Sequence, residues 1–195
     1  MDPDGGNVTG ISDAWDIMAQ MSLYHEMLPA AGKWGTIYNA GDANSVVNVK
    51  RAKEACQKLG LELIEVTIAN SSEVYAAAQS LVGRVEAVYI TSDNTVVSAL
   101  EAVAKVADRN KIPFFAGDVD SVAKGAAAAL GFNYFQVGYS AGKKAALILS
   151  GGKKAGEIPS GYAENPSLHL NLKAARAQGL VLDRKYIDRA EKVIQ

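Results

Sequence analysis

One stretch of the sequence decides the fold: Val85-Glu86-Ala87-Val88-Tyr89-Ile90-Thr91-Ser92-Asp93-Asn94-Thr95. Its first half is a short apolar run rich in strand-forming residues, which predicts a strand covered on both faces. Its second half is a cluster of residues that favour helix N-caps, and apolar residues with helical spacing follow from Val96 onward. Small polar side chains therefore lie at the carboxyl end of a predicted parallel strand, where open α/β sheets bind ligands.

The same strand–loop–helix unit occurs four times between residues 34 and 129. Strands are predicted over residues 34–38, 61–68, 87–90 and 112–116. Polar loops follow at residues 39–45, 69–72, 91–95 and 117–121, and each leads into a helical pattern, the last a short helix over 122–129. Four such units predict an α/β fold class, a parallel sheet with helices on both faces. The four loops then share one edge of the sheet and form a polar rim that can hydrogen-bond a small polar ligand.

The pattern changes after residue 130. A further strand is predicted over residues 131–137, and a helix with an apolar face runs from Gly138 to Leu149. Residues 167–172 alternate like a half-exposed strand, and two short helices near 173–178 and 183–194 close the chain.

Composition narrows the classes of partner and compartment. The chain has 195 residues and a net charge of −1, so a nucleic acid or an anionic membrane surface is not indicated as a partner. No apolar run approaches the roughly 20 residues of a membrane span. The single cysteine, Cys56, excludes an internal disulfide. The acidic, glycine-rich start at residues 1–6 is unlike a signal peptide, so we expect either a cytoplasmic protein or a chain whose true start is missing.

Two groups of polar residues are candidates for ligand contact. Asp118 follows Gly117 at the end of a predicted strand, and two interpretations stay open: it receives an ammonium or hydroxyl group of a ligand, or it caps the next turn. Ser92, Asp93, Asn94 and Thr95 cannot all act as caps at once. We predict that one or two of them contact the ligand, because their loop lies at the middle of the sheet edge.

Other chemistries find little support in the sequence. Two histidines, His25 and His169, and one cysteine are too far apart in sequence to indicate a metal set or a nucleophilic triad, so no cofactor and no catalytic residue are predicted. The Gly138–Lys144 segment has three residues between its glycines and lacks the Ser or Thr of a phosphate loop. A mechanism that uses only a carboxylate, Asp93 or Asp118, remains as an alternative.

A family resemblance emerges from several motifs in order. They are Asn7-Val8-Thr9-Gly10, Ile37-Tyr38-Asn39, Asn44-Ser45, Asn70-Ser71-Ser72, Thr91-Ser92-Asp93-Asn94-Thr95-Val96, Lys111-Ile112-Pro113 and Asn171-Leu172-Lys173-Ala174-Ala175. Together they resemble the substrate-binding proteins of ABC transporters, of the tryptophan-binding TrpX-like type. The resemblance covers nearly the whole chain and implies the type I periplasmic-binding fold, in which two α/β lobes close on a ligand.

The resemblance also implies how the chain is divided. Residues 1–12 correspond to a crossover, 13–136 to the second lobe, 137–163 to part of the first lobe, and 164–195 to a return to the second lobe. Members of the family carry a long stretch before the Asn-Val-Thr-Gly motif, so we expect this chain to be N-terminally incomplete. The helix over residues 138–149 would then have no sheet of its own lobe to cover, and we expect it to fold back or to pair with another chain as a dimer.

The site residues follow from the same resemblance, which implies that Asn39, Ser45, Ser92, Asn94 and Asp118 face the cleft. By analogy with binders of this fold, Asp118 would hold the ammonium or hydroxyl of the ligand. Two tyrosines, Tyr38 and Tyr134, lie near the predicted rim and have two open interpretations: they stack on an aromatic ligand, or they are ordinary core or hinge residues.

The expected function is therefore capture of a small polar solute, an amino acid or a similar molecule, for an ABC permease. The resemblance suggests aromatic or branched amino acids, and other solutes stay open. Such a parent protein would be periplasmic or lipid-anchored outside the cell. Two alternatives stay open: a cytoplasmic flavodoxin-like enzyme that uses Asp93 or Asp118, and a single-lobe fragment without function.

Overall fold

The computed structural model describes residues 6–163 and 166–195. The chain divides into two compact units. Unit 1 comprises Met1–Trp15 and Gly131–Ser167, and unit 2 comprises Asp16–Leu130 and Leu168–Gln195. These units change over near the lobe boundaries that the sequence predicts, but the correspondence of units to lobes stays a prediction. The predicted start of the crossover at residues 1–5, and residues 164–165 of the predicted return, lie outside the described residues.

Unit 2 contains one sheet and most of the helices. Its strands are β2 (Lys33–Asn39), β3 (Glu62–Ile68), β4 (Ala87–Ile90), β5 (Phe114–Ala116), β6 (Ala128–Gly131), β8 (Ser167–Asn171) and β9 (Lys192–Ile194). Its helices are α1 (Ile17–Met27), α2 (Ala43–Lys58), α3 (Val74–Leu81), α4 (Asn94–Val97), α5 (Leu100–Asn110), α7 (Leu172–Ala177) and α8 (Arg184–Arg189).

The sheet of unit 2 has the order β3-β2-β4-β5-β6-β8-β9. The registers of β2 with β3 and β4, of β4 with β5, of β5 with β6 and of β8 with β9 are all parallel. Helices cover both faces, because α3 and α5 pack on one side and α1 lies on the other. The predicted fold class, a parallel α/β sheet covered by helices, is confirmed.

The two faces of the sheet bury different kinds of side chain. On the α3 and α5 face the core is aliphatic, with Ile37, Val88 and Ile90 from the strands. On the α1 face it is aromatic: Tyr24 stacks on Phe115 with ring centroids 4.8 Å apart, and Phe115 lies 5.4 Å from Trp34. Alternate residues of each strand point to opposite faces, so one short apolar run supplies both cores.

Three predicted elements differ from the structure. The predicted helix over 122–129 and strand over 131–137 are wrong: a 3-10 turn spans Val119–Val122, β6 occupies Ala128–Gly131, and the next helix already begins at Tyr134. Residues 126–129 are alanines with high helix propensity, but they are fully buried in the sheet, and tertiary packing overrides local propensity. The predicted helix over 183–194 ends at Arg189, because residues 192–194 pair with β8 instead.

Unit 1 is smaller, and its described residues include two short strands. The strands β1 (Ile11–Ser12) and β7 (Gly161–Tyr162) pair in parallel, and the helix α6 (Tyr134–Leu149) begins at an Asn133 cap whose side chain accepts the Phe135 N–H at 2.9 Å. No residue of α6 is buried. Among the residues that the structure describes, no helix has both the length and the apolar character needed to cross a membrane.

Candidate functional site

The carboxyl edge of the unit 2 sheet contains a topological switch point. The chain passes from β2 to β3 on one side and then returns to β4 on the other side of β2. The loops after β2 and β4 therefore lead to helices on opposite faces of the sheet and leave a crevice between them, which is where open α/β sheets bind ligands. Asn39 ends β2, and Ser92 and Asp93 follow β4, so the predicted site residues of these two loops come together here.

Asp93 connects the two loops of the switch point. Its Oδ1 accepts the Val96 N–H at 2.8 Å, which caps α4, and its Oδ2 accepts the Asn39 N–H at 2.8 Å. The side chain is fully buried, at 0% exposure. Solvent does not reach either oxygen, so the structure gives Asp93 a positioning role instead of the ligand contact or acid–base role that the sequence suggested.

Asn39 shapes the same loop with its side-chain amide. Its Nδ2 donates to Thr95 Oγ1 at 3.1 Å, and its Oδ1 accepts the Gly41 N–H at 2.8 Å. The residue is half-buried, and the amide group keeps one further N–H and one lone pair for another partner. Thr95 thus holds the Asn39 side chain in place.

Asp118 lies on the next loop, after β5, and is half-buried. It caps the following 3-10 turn: Oδ1 accepts the Ser121 N–H at 3.0 Å, and Oδ2 accepts the Ser121 hydroxyl at 2.6 Å. The capping interpretation of Asp118 therefore holds. Each carboxylate oxygen has a second lone pair, so capping leaves acceptor capacity for a ligand. Ser121 was predicted only as part of the loop over residues 117–121, although Asp118 is a preferred N-cap type and an N-cap accepts the N–H two or three residues on.

The other predicted polar residues of this edge differ in accessibility. Asn94 is exposed and Ser92 is half-buried, so both can meet a ligand. Ser45 is only 1% exposed, and its hydroxyl has no hydrogen-bond partner among the described residues. The structure therefore places Ser45 inside the first turn of α2 and out of reach of a ligand in this conformation.

The two tyrosines lie in different units. Tyr38, on β2 of unit 2, donates its hydroxyl to Glu65 Oε2 at 3.2 Å, and its pKa is raised, first by burial and then by that carboxylate. Tyr134 begins α6 of unit 1, is exposed, and lies edge-on to Trp15 with ring centroids 6.5 Å apart. Tyr134 therefore belongs to unit 1, and the other predicted site residues belong to unit 2.

Burial shifts the pKa values of two side chains that the sequence analysis considered for catalysis, Cys56 and His169. Cys56 is buried on α2, and burial raises the pKa of its thiol to about 11, so the thiol stays protonated and unreactive near neutral pH. Burial lowers the pKa of His169 on β8. Within residues 6–163 and 166–195, no three His, Cys, Asp or Glu side chains are arranged to hold a metal ion.

The opposite, amino edge of the sheet has an open cavity of about 520 Å³. It is lined by Ala30, Gly32, Lys33, Gly83, Arg84, Val85 and Glu86. Glu86 is the acidic residue of this cavity, and its Oε2 already accepts the Gly32 and Lys33 N–H groups at 2.7 and 3.0 Å. None of the predicted site residues lies there.

Comparison with known proteins identifies relatives over nearly the whole chain. The family profile described as ABC transporter substrate binding protein matches residues 1–194. A tyrosine-binding protein of Clostridioides difficile strain R20291 is 39% identical over 191 residues, which cover 96% of this chain and 55% of that protein. The chain thus spans about half the length of the curated relatives that it matches.

Solved structures show the same fold. A conserved domain protein from Vibrio cholerae O1 biovar El Tor superimposes with a TM-score of 0.87 and 33% identity, covering 98% of this chain and 64% of that one. The ligand-free, open structure of a substrate-binding protein with adhesive properties from Clostridium difficile gives a TM-score of 0.85 and 32% identity, covering 100% of this chain and 65% of that one.

Proposed function

The chain belongs to the family of ABC transporter substrate-binding proteins, and on that premise we propose that it binds an aromatic amino acid, tyrosine first, without changing it chemically. The family resemblance predicted from the sequence is confirmed. The observation that carries the choice of ligand is the 39% identity to a protein named for tyrosine binding. That identity extends over 96% of this chain.

The carboxyl edge of unit 2 has the chemistry to hold the polar end of an amino acid. In this proposal the free lone pairs of Asp118 accept N–H groups from the ligand's ammonium, a charge-assisted contact that is stronger than a neutral hydrogen bond. Asn39, Ser92 and Asn94 offer amide and hydroxyl groups around it. Asp93 holds the two loops of the switch point in place below the ligand.

The aromatic ring of the ligand requires an aromatic or apolar partner. Tyr134 has more than half of its surface exposed, at 53%, and its stacking on a ligand ring stays a prediction from the sequence. Tyr38 is a weaker choice, because its hydroxyl is engaged by Glu65 and its ring is half-buried.

The alternatives of the sequence reading are not favoured. The matching family profile is described as a substrate binding protein of ABC transporters, and the Clostridioides difficile relative is named for tyrosine binding. Of the two acid–base candidates, Asp93 and Asp118, Asp93 is buried and accepts a backbone N–H on each oxygen. The third possibility, a fragment without function, makes a distinct prediction, since such a chain would show no response to any amino acid.

The partners and location of the whole protein follow from the family. We propose that it works outside the cytoplasmic membrane, in the periplasm or on a lipid anchor, and delivers its ligand to an ABC permease. We also propose that the exposed apolar side chains of α6, among them Phe135, Leu147 and Leu149, support self-association of this chain. Light scattering on a Leu147→Lys and Leu149→Lys double variant tests this: the proposal requires a wild-type dimer and a monomeric variant.

Calorimetric titration of the 195-residue chain tests the ligand. Tyrosine is compared with tryptophan, leucine and N-acetyltyrosine, whose acetyl group removes the ammonium charge. We expect tyrosine to bind, and N-acetyltyrosine to bind at least roughly tenfold more weakly, because a charge-assisted contact is worth about 1.5–3 kcal/mol.

Two variants with the same charge change locate the contact. Asp118→Asn is expected to weaken tyrosine binding by roughly tenfold or more. Asp120→Asn, on the exposed neighbouring position, is expected to leave it within about twofold. Equal binding of tyrosine and N-acetyltyrosine would contradict the role of Asp118, and no binding of any amino acid would contradict the proposed function as a whole.

A further inference from the structure

Two neighbouring strands separate directly below Asp118. The parallel register of β5 with β6 ends at Ala116 opposite Ala129. Beyond it, β5 continues through Gly117 into the loop that carries Asp118, while β6 continues through Leu130. Buried backbone groups at such a point need partners other than the neighbouring strand, since an unpaired buried N–H or C=O is costly.

Side chains of α1 supply those partners. The Gln20 amide nitrogen donates to the carbonyl oxygens of Gly117 at 2.9 Å and Leu130 at 2.6 Å. The Tyr24 hydroxyl donates to the Ala116 carbonyl at 2.8 Å and accepts the Leu130 N–H at 2.8 Å. Two side chains thus bond four backbone groups on the two separating strands.

A third side chain completes the hydrogen-bond network, and all three side chains are buried. The Tyr89 hydroxyl, from β4, donates to Gln20 Oε1, which fixes which end of the amide faces the two carbonyls. Gln20, Tyr24 and Tyr89 are 2%, 0% and 1% exposed. Burial raises the pKa values of both tyrosine hydroxyls, and the nearby negative charge of Asp118 raises them further, so both stay protonated as the network requires.

The loop is also held from the side of β4. The Gly117 N–H donates to the Ile90 carbonyl at 2.8 Å, and a Cβ at Gly117 would lie 3.3 Å from the Ser92 nitrogen. Gly117 is therefore fixed through its N–H by β4 and through its C=O by Gln20. Asp118 is the next residue, so the direction of its carboxylate depends on a backbone residue whose N–H and C=O are both hydrogen-bonded.

We propose that Gln20, with Tyr24 and Tyr89, is a positioning residue for ligand binding, and that this buried network sets the direction of the Asp118 carboxylate. The inference rests on the proposed function, in which Asp118 receives the ammonium of tyrosine. A network with a purely structural role would contribute to folding but would not change the affinity of the folded protein.

Gln178 provides a matched control at the other end of the same strand. It is also buried, at 0% exposure; its Oε1 accepts the Phe114 N–H at 2.9 Å, and its amide nitrogen donates to Asp108 Oδ1 at 3.0 Å and to the Gly125 carbonyl at 2.9 Å. Gln20 and Gln178 thus make three hydrogen bonds each, from opposite ends of β5. A Leu substitution removes the same chemical group from both.

The experiment compares Gln20→Leu with Gln178→Leu by calorimetric titration with tyrosine, at a temperature where both variants are folded by circular dichroism. We expect both to lower the melting temperature. Only Gln20→Leu is expected to raise the Kd, by roughly tenfold. Amide hydrogen exchange adds a readout without ligand: the Ser121 N–H, which is bonded to Asp118, should exchange roughly tenfold faster in Gln20→Leu and unchanged in Gln178→Leu.

Two further variants keep the test decisive. Tyr89→Phe removes only the hydroxyl that orients Gln20, and it replaces Gln20→Leu if that variant does not fold. In an Asp118→Ala background, Gln20→Leu should weaken binding little further, because residues that act through one group are not additive. A wild type that binds tyrosine while Gln20→Leu and Tyr89→Phe retain its Kd overturns the positioning role alone, and a wild type that binds no tyrosine overturns the proposed function with it.

Discussion

At the carboxyl end of the sheet Gln20 satisfies backbone groups of two strands, and at the amino end Gln178 does the same for β5 and the turn before β6. The two ends use one chemical device, a buried amide bonded to backbone. They differ in what lies beyond it. At the carboxyl end the bonded backbone leads into Asp118 and the loops of the switch point. At the amino end it belongs to the start of β5 and to the turn that contains Gly125.

This difference teaches that burial and hydrogen bonding alone do not mark a functional residue. Asp93 and Gln178 are both 0% exposed, and both polar atoms of each side chain are hydrogen-bonded. What separates them is the direction of the strands, because only the carboxyl ends of parallel strands carry loops that converge on the crevice. Substitutions at the amino end should therefore cost stability alone, and substitutions at the carboxyl end should cost stability and ligand affinity together.

The largest loss of stability is expected for Gly125→Ala, at the amino end. Gly125 has φ of +108°, and a Cβ there would lie 2.5 Å from the Ala104 Cβ. Backbone strain and overpacking each cost about 1–3 kcal/mol, so we expect a loss of roughly 4 kcal/mol in the free energy of unfolding, measured with urea. The tyrosine Kd of the folded protein should not change.

Gly83→Ala is the control for that substitution. Gly83 also has positive φ, +75°, but a Cβ there meets nothing within 4 Å. Only the backbone strain remains, and the free energy of unfolding should fall by about 1–2 kcal/mol. Equal losses at the two glycines would show that the contact with Ala104 does not constrain this turn.

A smaller loss of stability with a change in affinity is expected for Asp93→Asn, at the carboxyl end. Asp93 accepts one N–H on each oxygen, and an Asn presents its NH2 group to one of those donors. A buried N–H then loses its acceptor, which costs about 2 kcal/mol, and the two loops of the switch point separate. Urea unfolding and tyrosine titration on the same sample measure both effects.

Asp42→Asn tests whether the destabilisation by Asp93→Asn comes from replacing the second carboxylate oxygen. Asp42 caps α2 with a single oxygen, since Oδ1 accepts both the Asn44 and the Ser45 N–H. Asn keeps that oxygen and is an equally good cap, so we expect a change below about 0.5 kcal/mol. A loss at Asp42 as large as that at Asp93 would show that charge, and not the two-sided bonding, is responsible.

The position of the carboxyl-edge residues could be predicted from sequence, because strand ends are local features. The apolar run before Thr91 fixes β4, and the polar residues after it must then lie at the carboxyl edge. Asn39, Asp93 and Asp118 were predicted there for that reason. The sequence could not predict which carboxylate oxygens already accept a hydrogen bond within the protein. The N–H that donates to Asp93 Oδ2 belongs to Asn39, 54 residues away along the chain.

The missed elements have the same physical origin. Ala128 and Ala129 form part of β6 only because other strands and helices bury them, and residues 192–194 form β9 only because β8 is beside them. Gln20 carried a weak local signal, since it lies on the apolar face of α1 between Ile17 and Tyr24. A polar residue at such a position indicates a buried amide, but its partners lie about a hundred residues away.

The smallest effect is expected at the amino end, where Glu86 gives stability a dependence on pH. Hydrogen bonds from the Lys33 and Gly32 N–H groups lower the pKa of this carboxyl in the folded protein. A lowered folded-state pKa means that the stabilisation is complete above the unfolded-state pKa and is lost as the pH falls through the folded-state value. Glu86→Gln should therefore lower the melting temperature slightly at pH 7, with a difference that shrinks as the pH falls below about 4.

The control for Glu86 is Glu62→Gln, the same charge change at the exposed start of β3. Both variants change the net charge equally, so a difference between their melting curves isolates the hydrogen bonds that Glu86 makes. The tyrosine Kd should be unchanged in both at pH 7, because both residues lie at the amino end. If Glu86→Gln raises the tyrosine Kd, a substitution at the amino-edge cavity changes binding at the carboxyl edge. Effects on ligand affinity would then not be confined to the carboxyl end of the sheet.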